Sequence, residues 1–349
     1  MEDQMQKEPY VVVADVQENE PSSKRAKRKA EKRALKRAKK QRKLEKKQAK
    51  REAKGKKRPW RLGDRADGYL LRTLTPYARL TPYIMQIRSD SQNHFEEEID
   101  ITDIEDYIRA KKKEGYINFG MLHIFLAAFV RTVSQRPAVN RFIAGNKIYA
   151  RKNIEVVMVV KKKMSTSAPD TTMKCVFEPT DTVIDIYNKW NTIVEEIHAS
   201  ALIEKESAFD KLARVLNYIP GILLKWTVNF LRLLDWFGLL PRFLTKLSPF
   251  HGSMIITSMG SLGIGPIYHH LYDFGTLPVF LSYGKMYSKI VVGDDGTPMK
   301  RHFIGFRAVT DERICDGYYY ASAFKRIKRY ILHPERLENI LESVAEDID

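Results

Sequence analysis

The sequence predicts an α/β protein built on a layered, mixed sheet. Three observations predict it. Short apolar or alternating runs, such as Ile154 to Val160, interleave with longer stretches of helical spacing, such as Phe119 to Gln135. Hydrophobic residues make up 44% of 349, with 17 Tyr and 16 Phe, which is enough for a full core. Charge is segregated as well: residues 24–58 hold 21 Lys/Arg and 3 Glu, net +18 in a chain of +17, so the remainder is nearly neutral at about −1.

In chain order, residues 1–23 read as disordered and 24–60 as a basic arm, followed by one domain over 61–349. Ile84 to Arg88 alternates and reads as a strand. Asp103 to Lys113 reads as a helix with Thr102 as N-cap. The apolar helix from Phe119 ends before Pro137, because the residue preceding a proline is pushed out of the helical region. Lys147 to Ala150 and Ile154 to Val160 read as strands, the second apolar throughout and therefore central. Thr182 to Ala199 is a helix. Strands follow at His251–Thr257, Val279–Gly284, Lys289–Val292 and His302–Val309. Helices at Gly317–Tyr330 and from Pro334 to about Val344 close the chain.

The segment 209–250 stands apart. Between Ile222 and Leu240 only Lys225, Arg232 and Asp235 are charged; with Asn229 they make one narrow polar stripe at spacings of four, three and three. Three charges in nineteen residues make a membrane span costly. A core or oligomer-interface helix, an in-plane membrane helix and the wall of a lipid-chain pocket all remain open. Pro220-Gly221 and Pro241 break the segment into two or three short helices.

The arm has almost nothing to bury, and no aromatic residues interleave its basic ones, which disfavours base stacking. It suits RNA or an anionic membrane surface, at about 1 kcal/mol per basic residue near a bilayer, or serves as a solvated tail. The two cysteines, Cys175 and Cys315, fit a reducing compartment, and Met1 to Glu20 lacks the apolar stretch of a secretory signal. The expected location is cytoplasmic, peripheral to a membrane. No histidine pair has metal-ligand spacing, and the glycines at 260, 263 and 265 match no phosphate-loop pattern, so neither a metal nor nucleotide hydrolysis is expected.

Three segments carry a resemblance. They are Arg136-Pro137-Ala138-Val139-Asn140; Thr257-Ser258-Met259-Gly260-Ser261-Leu262-Gly263, at the end of an apolar strand; and Asp311-Glu312-Arg313-Ile314-Cys315-Asp316-Gly317, between a strand and a helix. Together, in this order over roughly 250 residues, they resemble the catalytic domain of the dihydrolipoyl acyltransferases of 2-oxo acid dehydrogenase complexes, a chloramphenicol-acetyltransferase-like fold. The counterparts there are a Pro-x-Leu-Asn segment, a Thr-Ile-Ser-Asn-Leu-Gly turn and an Asp-His-Arg-x-x-Asp-Gly motif. The resemblance implies that a motif histidine deprotonates a thiol or hydroxyl acceptor, which attacks the thioester of acyl-CoA. A hydroxyl on the turn stabilises the oxyanion, and the motif Asp holds the loop. It also implies a homotrimer with sites between subunits, and a coenzyme A thioester as co-substrate.

Two departures stand out. Glu312 occupies the histidine position while Asp311, Arg313, Asp316 and Gly317 match, and Gly260 stands where the family has Ser, with Ser258 and Ser261 beside it. Three explanations stay open. Glu312 acts as base with a raised pKa, unless Arg313 pairs with it; His269-His270, in the loop after the turn, supply the imidazole; or acyl transfer is lost and the fold serves binding. His269-His270 also read as an ordinary loop pair, His123 and His251 as structural, and Cys315 as packing. Residues 1–75 are too few and too charged for a lipoyl domain. The expected function is CoA-dependent acyl transfer to a thiol or hydroxyl acceptor, near a membrane; the alternative is an inactive acyltransferase-fold scaffold or a polyanion- or membrane-binding module.

Overall fold

The structure, a computed structural model, describes residues 58–161, 170–202 and 208–347. The chain divides into two units, 1–60 and 61–349, and every described element belongs to the second. The expectations of disorder over 1–23 and of a basic arm up to residue 57 lie outside the described residues.

A six-stranded mixed sheet organises the molecule. Its strands are β2 (Gln92–Asp100), β5 (Ile154–Lys161), β6 (Asp170–Phe177), β7 (Met254–Ser258), β8 (Val279–Val292) and β9 (Pro298–Asp311), in the order β2-β9-β8-β7-β5-β6. The β5–β7 and β7–β8 pairs are parallel and the others antiparallel. A small antiparallel sheet sits apart, with β1 (Gly68–Leu70) and β3 (Phe142–Ala144) flanking β4 (Lys147–Arg151).

Alternation along the strands decides which face meets which layer. Val156, Ile256, Leu281 and Phe306 point to one face and join the main core with the apolar helix α3 (Met121–Gln135), whose Phe125 stacks on Tyr283 at 5.0 Å. Their neighbours Val157, Ile255, Phe280 and Val309 point to the other face, where Leu271 and Leu277 of a long loop cover them. Helices α4 (Val183–Leu202) and α8 (Gly317–Leu332) pack with α3 on the first face.

The mixed α/β class therefore holds, with several corrections. Ile84 to Arg88 is not a strand: Thr75 caps α1 (Pro76–Ile84), its side chain accepting from the Ala78 N–H, with Pro76 in the first turn. The helix α2 begins at Thr102 rather than being capped by it, and runs to Lys113. Strand β2 escaped the sequence reading because its run of Glu looks unlike a strand. It is an edge strand whose Glu96 and Glu97 pair with Arg307 and Lys328 at 2.7 and 2.6 Å, and whose Glu98 pairs with Lys289. Strand β6 was also missed. Val279–Gly284 and Lys289–Val292 are one strand, interrupted by a register shift between Tyr283 and Met286. Beyond Pro334–Leu337, a single 3₁₀ turn, the expected terminal helix does not form. The segment 209–250 is three helices, α5 (Ala208–Asn217), α6 (Gly221–Trp236) and α7 (Arg242–Leu247).

Candidate active site

The 311–317 loop is held by buried charge. Both carboxylate oxygens of Asp311 accept from Arg313, at 2.8 Å each, and Arg88 Nε adds a third bond at 3.3 Å. Burial alone would raise the Asp311 pKa; the hydrogen bonds and charge of Arg313, with the charge of Arg88, hold it below the usual carboxylate range. Arg313 also donates to the Met85 carbonyl at 3.1 Å, while Arg88 donates to the carbonyls of Tyr272 and Gly275 at 2.5 and 3.0 Å. Asp316 caps α8, accepting from the Tyr319 N–H at 2.8 Å, and Gly317 opens that helix with free space where a Cβ would stand. Asp311, Arg313 and Asp316 thus hold the loop and the start of α8. Arg88, which the motif reading missed, also holds the loop; no local sequence signal marks that arginine.

The expected alternative pairing of Arg313 with Glu312 is overturned, because Asp311 takes the guanidinium. Glu312 is exposed, and among the described residues its carboxylate makes no hydrogen bond or ion pair. Its N–H donates to the Ser91 carbonyl at 2.8 Å, which fixes the backbone and leaves the side chain in solvent. Cys315 is a packing residue, its thiol pushed up to about 12 by burial. The 136–140 segment adjoins this loop: Asn140 is buried, and Arg141 donates to the Ile314 carbonyl at 3.3 Å.

The turn at 257–263 lies further along the sheet, at the end of β7. Ser258 pairs with Tyr283, which pairs with Phe306, five positions before Asp311 along β9. At about 3.3 Å per residue the two segments are roughly 16 Å apart along the strands within one subunit. Ser261 Oγ donates to the Ser258 carbonyl at 2.9 Å, and the Ser258 hydroxyl bonds Tyr283. Gly260 is a steric necessity: a Cβ there would stand 2.8 Å from the Gly284 carbonyl oxygen, so no hydroxyl-bearing side chain fits without moving backbone.

His269 and His270 stack on one another at 4.7 Å, and His269 lies flat on Phe280 at 4.1 Å. Phe280 pairs with Val309, so the histidines sit over the end of the sheet that carries the 311–317 loop and away from Ser258 and Ser261. His269 Nδ1 is 2.8 Å from the His270 carbonyl, a bond within the pair itself. His123 is a core histidine: burial pushes it down to about 4, and it accepts from the Gly120 N–H at 3.2 Å.

The helices of 208–247 flank a half-open cavity of about 520 Å³ against the loop at 270–274. Its wall includes Val228, Leu231, Leu244 and Leu271, with Ser89, Arg232, Ser248, His251, His270 and Asp273 as polar side chains. The polar stripe on α6 splits: Asp235 is buried, Lys225 and Asn229 face outward, and Arg232 is exposed where it lines the cavity. Outward with them go Ile222 (77% exposed), Trp226 (69%), Phe230 (57%) and Phe237 (66%). Among the described residues no helix is long and apolar enough to cross a membrane.

No protein-family model and no curated protein sequence matches the chain. Solved structures do resemble it. A probable dihydrolipoamide acetyltransferase from Listeria monocytogenes has 16% identity over 77% of this chain and 93% of that one, with a TM-score of 0.48. The dihydrolipoamide acetyltransferase of Azotobacter vinelandii has 15% identity over 76% and 93%, with a TM-score of 0.47. A chloramphenicol acetyltransferase has 10% identity over 76% and 99%, with a TM-score of 0.46. The likeness to these acyltransferases is one of fold alone.

Proposed function

We propose that this chain is a peripheral membrane-binding protein on an acyltransferase-like fold, and that the acyl-transfer pair implied by the family resemblance is dismantled in it. The observation that carries the membrane reading is the outer surface of α6 and α7. Between Gly221 and Leu247 the charged residues are Lys225, Arg232, Asp235, Arg242 and Lys246; the acidic one is buried, so every exposed charge is basic. Around them Ile222, Leu223, Trp226, Phe230, Leu233 and Phe237 are more than half exposed. Aromatic and aliphatic side chains flanked only by basic ones suit the boundary between acyl chains and anionic headgroups, where apolar burial and charge attraction add. Leaving such a face in water forfeits roughly 1.5–3 kcal/mol for each large side chain that a bilayer would bury. The basic run at 24–58 supplies further attraction to the same class of surface.

Dismantling of the acyl-transfer pair is supported by two positions together. Position 312 offers an exposed carboxylate in place of an imidazole, and position 260 has no room for a hydroxyl. A coenzyme A thioester is therefore not a substrate at this loop, whether or not three copies assemble. Flotation with vesicles tests the membrane reading. Wild-type protein is expected to float with vesicles containing anionic lipid, and a Trp226→Glu/Phe230→Glu variant to stay at the bottom while keeping its thermal midpoint. Failure of the wild type to float defeats the proposal. A variant that loses oligomeric mass instead of flotation assigns the face to contact between copies.

A further inference from the structure

We infer that Ser248, His251 and Asp235 form a reactive site away from the 311–317 loop, a serine hydrolase-type triad opening on the cavity under α6. Ser248 Oγ lies 2.9 Å from His251 Nδ1, and His251 Nε2 lies 3.3 Å from Asp235 Oδ2. The second contact has ion-pair distance but poor alignment for a hydrogen bond, so Nε2 is the looser of the two ring nitrogens. Asp235 can only accept, so the tautomer that serves the triad carries its hydrogen on Nε2 and leaves Nδ1 as the acceptor for the Ser248 hydroxyl.

Each member is held from behind. Arg65 donates to Asp235 Oδ1 at 2.6 Å and to the Asp235 carbonyl. Burial works to raise the Asp235 pKa, and His251 and Arg65 override it, holding the carboxyl down at about 2 and ionised. Lys174 donates to the carbonyls of Thr245 and His251, at 2.8 and 2.5 Å, pinning the ends of the turn that carries Ser248. Phe250 N–H donates to Ser248 Oγ at 3.2 Å, which leaves the hydroxyl hydrogen for the imidazole. His251 is 2% exposed and meets Phe274 edge-on at 5.9 Å. Ser248 is half-buried and lines the cavity, so the nucleophile faces the open space and the base sits beneath it.

The cavity names the substrate class. A volume of about 520 Å³ walled by Val228, Leu231, Leu244 and Leu271 fits an aliphatic acyl chain, so the substrate is an ester or thioester of a medium-chain fatty acid. The step balances. Ser248 Oγ attacks the acyl carbonyl while its proton passes to His251 Nδ1; the bond to the leaving alkoxide or thiolate breaks, and that group takes the proton. Water, deprotonated by His251, then attacks the acyl-serine, releasing the carboxylic acid and returning the proton to Ser248. Asp235 acts through His251 and is a positioning residue.

The test uses the full chain and two probes, a fluorophosphonate reagent and 4-nitrophenyl octanoate. The expected result is a single phosphonyl adduct on the peptide containing Ser248, blocked by excess octanoate ester and absent after unfolding. Hydrolysis is expected to fall by on the order of 10³-fold in Ser248→Ala and His251→Ala. Asp235→Asn is expected to lower kcat per phosphonylatable active site, counted by titration with the fluorophosphonate, while leaving KM unchanged; counting sites removes loss of folded protein from the readout, and an unchanged KM separates the effect from a change of cavity shape. Absence of the adduct on folded wild-type protein, or an adduct on another serine, overturns the inference. So does a folded Ser248→Ala protein that hydrolyses the ester at the wild-type rate. The membrane reading has its own readout in vesicle flotation, so either idea can fail while the other stands.

Discussion

At the scale of single residues, the feature that matters most is the exchange of partners in the 311–317 loop. Asp311 is buried between Arg313 and Arg88. Removing its charge leaves two guanidinium groups buried without compensation, so Asp311→Asn is expected to cost about 3–5 kcal/mol, measured by urea unfolding. A cost near zero would mean that the loop is not held as described. His123 gives a pH-dependent counterpart. It is buried and neutral in the fold, pushed down to about 4 by desolvation, whereas the unfolded chain takes up a proton near the ordinary imidazole value. Between those two values the unfolded state binds more protons, so stability falls as pH drops through 6.5 toward 4, by about 3 kcal/mol from this residue. His123→Gln should flatten that part of the curve, as read from thermal midpoints across the range. These roles were unequally legible. Asp311, Arg313 and Asp316 are spelled out by the motif, whereas Arg88 lies 223 residues away from Asp311 and carries no local pattern. The clash that fixes Gly260 involves the backbone of Gly284, which only the pairing of β7 with β8 brings near.

At the scale of elements, the amphipathic helix α6 turns its apolar side outward. A sequence reading sees three charges on an apolar helix and cannot choose between core, interface and pocket wall, because periodicity fixes a stripe and not the direction it faces. The structure gives two answers for the two sides. Val228 and Leu231 line the cavity and Asp235 is buried, while Trp226, Phe230 and Phe237 face out. Because those outer residues are more than half exposed, Trp226→Glu/Phe230→Glu should shift stability by no more than about 0.5 kcal/mol. The same variant should abolish vesicle binding. The misreading near Ile84 has a different origin. Alternation over five residues favours a strand, but the Thr75 cap and Pro76 start a helix that ends there. Strand β2 shows the reverse: its Glu-rich sequence is tolerated because an edge strand can direct its charges to Arg307, Lys328 and Lys289.

At the scale of the whole molecule, the α/β class and the position of the motif loop at a strand end were readable, since apolar runs and a strand-to-helix junction survive in any register. The distance between the two motif segments was not, because it depends on strand order. With β8 between their strands, and a register offset of five residues from Phe306 to Asp311, Ser258 and Asp311 do not meet within one subunit. The two segments therefore do not form one site within a subunit, and they present Gly260 and Glu312 rather than a hydroxyl and an imidazole. Glu312→His alone is accordingly expected to leave acetyl-CoA turnover at background, because position 260 still offers no hydroxyl; turnover in that variant would show that only one half of the pair had been lost.

The central claim is that the outer face of α6 enters a bilayer, and lipid quenching of tryptophan fluorescence tests it most directly. With anionic vesicles whose acyl chains carry bromine, the fluorescence of the folded protein should be quenched, and a Trp226→Phe/Trp236→Phe variant should lose most of that quenching while still binding. Undiminished quenching in the variant, or none in the wild type at saturating vesicle concentration, would contradict the account.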